Sequence, residues 1–171
     1  MKLSILTVSD RSARGEREDL AGPKLEQFMT QRGWKLVQKD IVSDEKEEIS
    51  RKLVEWADGG ECDLILTTGG TGFGRRDITP EATTDIIERM APGLAEAMRI
   101  ASMSITPHAM LSRSVCGIRG ETLIVNLPGS PKAAVENLEV ILPALPHAIE
   151  LLRDDPEAEK GHRPGIKSRN A

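Results

Sequence analysis

The chain of 171 residues contains no Tyr and only two Phe and two Trp, so it is poorly supplied with the stacking platforms that hold single-stranded nucleic acid. Its two cysteines, Cys62 and Cys116, are far apart and lack CxxC spacing. That excludes a disulfide framework and a zinc site and leaves both as small core residues. The three histidines, His108, His147 and His162, form neither HExxH nor an i,i+4 pair, which argues against a histidine metal centre. No apolar run approaches the ~18 residues of a membrane span, and Asp10 and Arg11 soon interrupt the N-terminal one. The expectation is a cytoplasmic protein without a membrane segment. An excess of positive charge is also missing: 23 Lys+Arg stand against 27 Asp+Glu, for a net charge of −4. A sequence-independent grip on nucleic acid or an anionic membrane is thereby excluded, and any anionic ligand must be held by local groups.

What is present fits one soluble domain, with 39% hydrophobic and 29% charged residues and a turn-rich supply of 15 Gly and 10 Pro. A chain of this length buries roughly two-thirds of its unfolded surface and needs no staple to fold. Short apolar runs at 3–8, 63–67 and 122–127, bounded by turn formers, predict strands buried on both faces, and 34–42 is a weaker strand candidate.

Helical periodicity separates them. Leu25, Phe28 and Met29 mark a helix over 20–32 ended by Gly33. Ile49, Leu53, Trp56 and Ala57 mark one over 45–58, with Asp44 and Glu47 spaced as a capping box. Thr79 as N-cap and Pro80 at the first position open a helix carrying Ala82, Ile86 and Met90. A further helix over 93–105 uses Leu94, Met98, Ala101 and Ile105, and a last one runs from Ser130 to Ile149, kinked or split by Pro143 and Pro146. The segment 111–121 has no clear period and suits a short hairpin with an antiparallel strand. Strands alternating with helices predict a three-layer α/β/α sandwich with a mostly parallel sheet. Residues 1–152 form this domain, and 153–171 read as a polar tail with little independent structure.

In open α/β sheets the ligand crevice lies beyond the carboxyl ends of the strands. Three small, polar or glycine-rich segments follow the strand candidates: Ser9-Asp10-Arg11-Ser12, Thr67 to Gly74, and Asn126 to Lys132. The Thr-Thr-Gly-Gly-Thr-Gly stretch offers successive unshielded backbone N–H groups with interleaved hydroxyls, which suits a phosphate as well as a tight turn. It is neither a Walker A loop nor a GxGxxG fingerprint. Asp77 is either a turn former or a carboxylate beside a phosphate cradle, able to hold Mg²⁺, and Arg75 and Arg76 are a solvated pair in the first of these readings. Asp44 is either a cap or a second such carboxylate. Gly129, Ser130, Pro131 and Lys132 open a helix whose N–H groups favour an anion, or simply cap it. No Ser-His-Asp or Cys-His constellation points to a covalent intermediate.

Taken together, TTGGTG at 67–72, RRDITPEAT at 75–83, SITPHAMLSRS at 104–114 and NLPGSPKA at 126–133 resemble molybdenum cofactor biosynthesis proteins of the MogA/MoaB type, a domain shared with gephyrin. The likeness runs over about residues 3–152. It implies a homotrimeric molybdopterin adenylyltransferase, in which the terminal phosphate of molybdopterin attacks the α-phosphorus of Mg-ATP and pyrophosphate leaves. It carries Asp44 and Asp77 over as the functional, Mg²⁺-holding aspartates. It also implies that ATP and molybdopterin are held by Asp10, Arg11, Thr68, Gly69, Gly70, Thr71, Gly72, Ser112, Arg113, Gly129, Ser130, Pro131 and Lys132. Other proteins of cofactor biosynthesis are the further partners it implies. A molybdopterin carrier or scaffold without transferase activity is the alternative, and the presence of both aspartates favours the enzyme.

Overall fold

A computed structural model describes residues 1–154 of the chain. Six strands form one sheet: β1 (Lys2–Val8), β2 (Lys35–Val42), β3 (Leu64–Thr68), β4 (Arg89–Met90), β5 (Cys116–Arg119) and β6 (Thr122–Leu127). Their order is β2-β1-β3-β6-β5-β4. The first four in that row are parallel, and β5 and β4 close the edge antiparallel. Among the described residues seven α-helices accompany them: α1 (Asp10–Ala13), α2 (Ala21–Thr30), α3 (Lys46–Asp58), α4 (Thr79–Thr84), α5 (Pro92–Met103), α6 (Pro131–Ile141) and α7 (Leu145–Leu152).

Alternation along the central strands sorts the core into two halves. Leu3 and Ile5, Leu64 and Leu66, and Leu123 and Val125 point to the face covered by α2, α5, α6 and α7, which supply Leu25, Met29, Met98, Leu138 and Ile149. Leu6, Val8, Ile65 and Ile124 point the other way, onto Ile49, Leu53 and Trp56 of α3 and Ala82 of α4. This is the expected three-layer sandwich, since strands buried on both faces need a helix layer on each side. Each fully buried Leu or Ile contributes about 1.5–3 kcal/mol relative to exposure. Cys62 and Cys116 are buried and unpaired, and burial pushes the Cys116 thiol up to about 12. Among the described residues, no helix is long and apolar enough to cross a membrane.

Several boundaries differ from the periodicity-based expectations. The helix opened by Pro80 ends at Thr84 instead of reaching Met90. Glu88 N–H donates to Ile118 O and Ala91 N–H to Cys116 O, so Arg89 and Met90 join the sheet edge as β4. Thr79 is not the cap: Ile78 occupies that position, and the Thr79 hydroxyl donates to Gly69 O. The capping box at Asp44 is absent too, since Glu45 is the N-cap of α3 and makes no side-chain cap bond. Asp44 instead uses its carboxylate on Asp10. Ile105, assigned above to the buried stripe of α5, is 64% exposed beyond the helix end. Pro143 splits the last helix as expected, leaving a 3-10 turn, Leu142–Ala144, between α6 and α7. The segment 111–121 supplies one antiparallel strand, β5, and its hairpin partner is β6 outside that segment. Arg153, the first residue of the expected tail, pairs with Asp63, while 155–171 lie outside the described residues.

One buried polar residue ties the layers together. Asn126 on β6 donates to the hydroxyls of Thr67 (3.0 Å) and Thr83 (2.9 Å) and accepts from Val115 N–H (3.3 Å). It thereby fixes α4 against the sheet and β5 against β6. Asn126→Leu keeps the bulk but removes the acceptor of Val115, so it should destabilise the fold by about 1–3 kcal/mol. A urea midpoint equal to that of the parent would contradict this.

Candidate active site

The carboxyl ends of β1, β3 and β6 open into a cleft of about 620 Å³. Its wall takes Asp10 and Arg11 from the turn after β1, Asp44 from the turn after β2, Thr68, Gly69 and Gly70 after β3, and Gly129, Ser130 and Pro131 after β6. Asp77, on the loop before α4, joins them. The backbone makes this convergence possible only with glycine. Gly69 has φ +106°, and a Cβ there would overlap the carbonyl oxygen of Val8. Gly70 has φ +62°, and its Cβ would overlap Thr79 Oγ1 and lie 3.2 Å from Asp44 Oδ1. The chain therefore passes directly over the Asp44 carboxylate.

The two carboxylates at the β1 and β2 turns hold each other's backbone. Asp10 N–H donates to Asp44 Oδ2 (2.7 Å), and Asp44 N–H donates to Asp10 Oδ1 (3.1 Å). Arg76 then grips Asp10 through two parallel bonds of 3.0 and 2.9 Å and reaches Glu45 at 2.7 Å. The Arg76 guanidinium holds the Asp10 carboxyl below its ordinary value. Asp44 goes the other way: burial raises it, opposed by the Asp10 backbone bond, and the nearby charges of Asp10 and Asp77 raise it further. Asp77 Oδ2 accepts from Gly74 N–H at 2.7 Å. Two neighbouring acids thus differ in environment, one paired with a cation and the other partly buried beside like charge.

Thr71, Gly72 and Ser112 do not face this cleft. They line a second one of about 270 Å³, together with Arg99, Ser102, His108 and Asn137. The glycine loop is the partition between the two, with Gly69 and Gly70 on one side and Thr71 and Gly72 on the other. Two residues from the sequence reading line neither cleft. Lys132 has an 82% exposed side chain, 3.7 Å from Glu136. Arg113 is turned onto protein groups, the carbonyls of Gly72 and Asp77 and the carboxylate of Glu81. Ser130 does cap α6, its hydroxyl accepting from Ala133 N–H. Arg76, a solvated residue in one of the two readings above and absent from the expected site, is one residue the sequence reading missed, and its adjacency to Asp77 was the available signal. Thr7 and Asp19 were missed as well. They form part of the first cleft, with Asp19 accepting from the Thr7 hydroxyl (2.7 Å) and from Ala21 and Gly22 N–H (3.0 Å each) at the start of α2.

The chain is similar to known proteins over most of its length. The family model described as "Probable molybdopterin binding domain" matches residues 4–147. A curated protein of Helicobacter pylori (strain J99), molybdopterin adenylyltransferase, is 41% identical over 152 residues, covering 88% of this chain and 86% of that protein. The molybdopterin adenylyltransferase of Escherichia coli K12 is 40% identical over 141 residues, covering 81% and 72%. The crystal structure of the molybdopterin biosynthesis enzyme MoaB of Thermus thermophilus superposes with a TM-score of 0.85 at 48% identity, covering 91% of this chain and 98% of that one.

The electrostatics of Asp44 make a test without substrate possible. Its folded-state carboxyl lies above the ordinary value of 3.8. A raised acid stabilises the folded state fully below the unfolded value and loses that contribution as pH rises through the folded one. At neutral pH the ionised Asp44 therefore opposes folding. Asp44→Asn should raise Tm at pH 7, with the gap narrowing as pH falls into the carboxylate range. Thermal melts across that range check it, and a lower Tm for the variant at pH 7 would contradict it.

Proposed function

The chain belongs to the molybdopterin-binding domain family that includes these molybdopterin adenylyltransferases, and we propose that it acts in molybdenum cofactor biosynthesis by adenylylating molybdopterin with ATP. The observation that carries the reading is the partition of two adjoining clefts by one glycine loop, with Asp44 and Asp77 on the wall of the larger. Transfer between phosphates requires two anionic substrates to meet, and a shared wall of glycines and small hydroxyl residues lets them approach. We take residues 1–152 as the functional unit and the cytoplasm, where ATP is abundant, as its setting.

The residues present fit a hard divalent cation. Among the described residues, no cluster of three or more His, Cys, Asp or Glu forms a metal cage. Mg²⁺ does not need one, because it keeps several waters and takes one or two carboxylates plus substrate phosphates. Asp44 and Asp77 would hold it, and the burial that raises the Asp44 carboxyl is the strain that a cation relieves. When bound, Mg²⁺ supplies positive charge that offsets the phosphates and the departing pyrophosphate.

The chain's own contribution is placement. Backbone N–H groups at 70–72, with the Thr71 hydroxyl, bind phosphate oxygens from both sides of the loop, whereas Gly69 N–H and the Thr68 hydroxyl hold the loop to Leu127 O and Pro128 O, and Arg11 adds charge at the larger cleft. Gly129, Ser130 and Pro131 bring the start of α6 against the same cleft. The Lys132 ammonium takes no part, since it points to solvent. The attacking phosphate oxygen is already anionic, so no general base is required. A new bond forms from that oxygen to the α-phosphorus as the bond from α-phosphorus to pyrophosphate breaks. The second partner is another copy of the chain. Exposed Ile100 and Met103 on α5, Ile105 just beyond it, and Met110 and Leu111 on the 3-10 helix Pro107–Leu111 offer an apolar face for self-association as a homotrimer.

Asp77→Asn tests the catalytic reading. It should leave the fold and molybdopterin binding nearly intact while turnover, read as pyrophosphate release, falls about a hundredfold or more, as for loss of one preorganised electrostatic group. Parental turnover in this variant would contradict the role assigned to Asp77.

A further inference from the structure

Asp77 sits at the end of a turn that one arginine closes from behind. Arg113 Nε–H donates to the Gly72 carbonyl (2.6 Å), and one terminal nitrogen donates to the Asp77 carbonyl (2.6 Å). The other terminal nitrogen pairs with the Glu81 carboxylate in the first turn of α4. The Arg113 backbone N–H donates to Thr71 O at 2.9 Å. A single planar group therefore spans both ends of the segment from Gly72 to Asp77 and anchors it to α4. Inside the turn, Asp77 N–H donates to Gly74 O (3.0 Å), and Gly74 N–H returns to Asp77 Oδ2 (2.7 Å). On the outer side Arg76 stitches the same loop to Asp10, whose N–H holds Asp44. Arg113 itself lines neither substrate cleft.

We infer that Arg113 is a positioning residue: it fixes the Asp77 carboxylate opposite Asp44 and does not bind substrate. This rests on the reading of Asp77 as a cation-holding carboxylate. The geometry requires a guanidinium, because its fixed fork reaches two carbonyls and a carboxylate at once, whereas a lysine ammonium is a point charge on a flexible stem. Lysine therefore does not rescue the function, although it preserves the charge beside Glu81. A substrate ligand acting through charge would be rescued in part.

The test titrates Mn²⁺ by electron paramagnetic resonance into the full chain with a non-hydrolysable ATP analogue, alongside steady-state kinetics. Arg113→Lys should weaken Mn²⁺ binding by about 10–100-fold, the usual effect of losing a group that orients a metal-holding residue. Turnover should fall with it, while the KM for molybdopterin changes by no more than about twofold. If the lysine variant does not fold, Glu81→Gln loosens the same guanidinium without removing it and should shift Mn²⁺ binding in the same direction. Parental Mn²⁺ affinity with a raised molybdopterin KM would overturn the inference and make Arg113 a substrate ligand. Asp77→Asn in the same titration separates the two levels. Weakened Mn²⁺ binding in Asp77→Asn but not in Arg113→Lys defeats only the positioning role, whereas parental binding in both defeats the cation reading beneath it.

Discussion

Gly69 lies against the carbonyl oxygen of Val8 so closely that no side chain fits, and it does so at φ +106°. The contact joins the ends of β1 and β3, two neighbours in the parallel sheet. From it the chain turns to carry Gly70 over Asp44, meets the Thr79 hydroxyl that opens α4, and passes Gly129, whose added Cβ would sit 3.3 Å from Gly69 Cα. Every loop of the site is referred to this one backbone crossing. A parallel sheet puts the strand ends on one edge, and the glycine lets them approach closely enough to share a ligand.

Charge is organised on that crossing with both signs kept close. The chain is acidic overall and its proposed substrates are anions, so attraction at long range does not explain binding. Beside the cleft Arg76 pairs with the Asp10 carboxylate, while the Asp10 backbone N–H donates to Asp44. Asp44 is left partly buried beside like charge. That arrangement is costly on its own and would be relieved by a cation, as the proposed function has it, and perturbed carboxylates of this kind cluster at functional sites. The two arginines near Asp77 do different work from the one expected of basic residues near phosphates. Arg113 bonds through Nε and both terminal nitrogens, Arg76 through Nε and one terminal nitrogen, and the partners are carbonyls and carboxylates of the protein.

The layer architecture was legible in the residues themselves. Apolar runs of five or six residues marked the central strands, and helical stripes such as Ile49, Leu53 and Trp56 found the faces they bury. Most of the larger cleft's lining was legible too, because a parallel sheet gathers the segments that follow its strands at one edge, although residues such as Ser130 also serve as caps. What failed depended on tertiary partners. Asp44 looks like a cap until Asp10 from a distant segment claims it. Met90 fits a helical period, yet β5 offers its edge and the chain extends to pair with it. Arg76 follows the glycine loop and Arg113 lies in the 104–114 motif, and neither position discloses a partner. Only the distances show that their guanidinium groups meet backbone and carboxylate partners.

The central claim is that this cleft joins a nucleotide to molybdopterin, and mass spectrometry of the product tests it most directly. Purified protein incubated with molybdopterin, ATP and Mg²⁺ is predicted to yield adenylyl-molybdopterin, with one pyrophosphate released per product. Molybdopterin recovered bound but unmodified, with ATP intact, would contradict the account and make the protein a carrier.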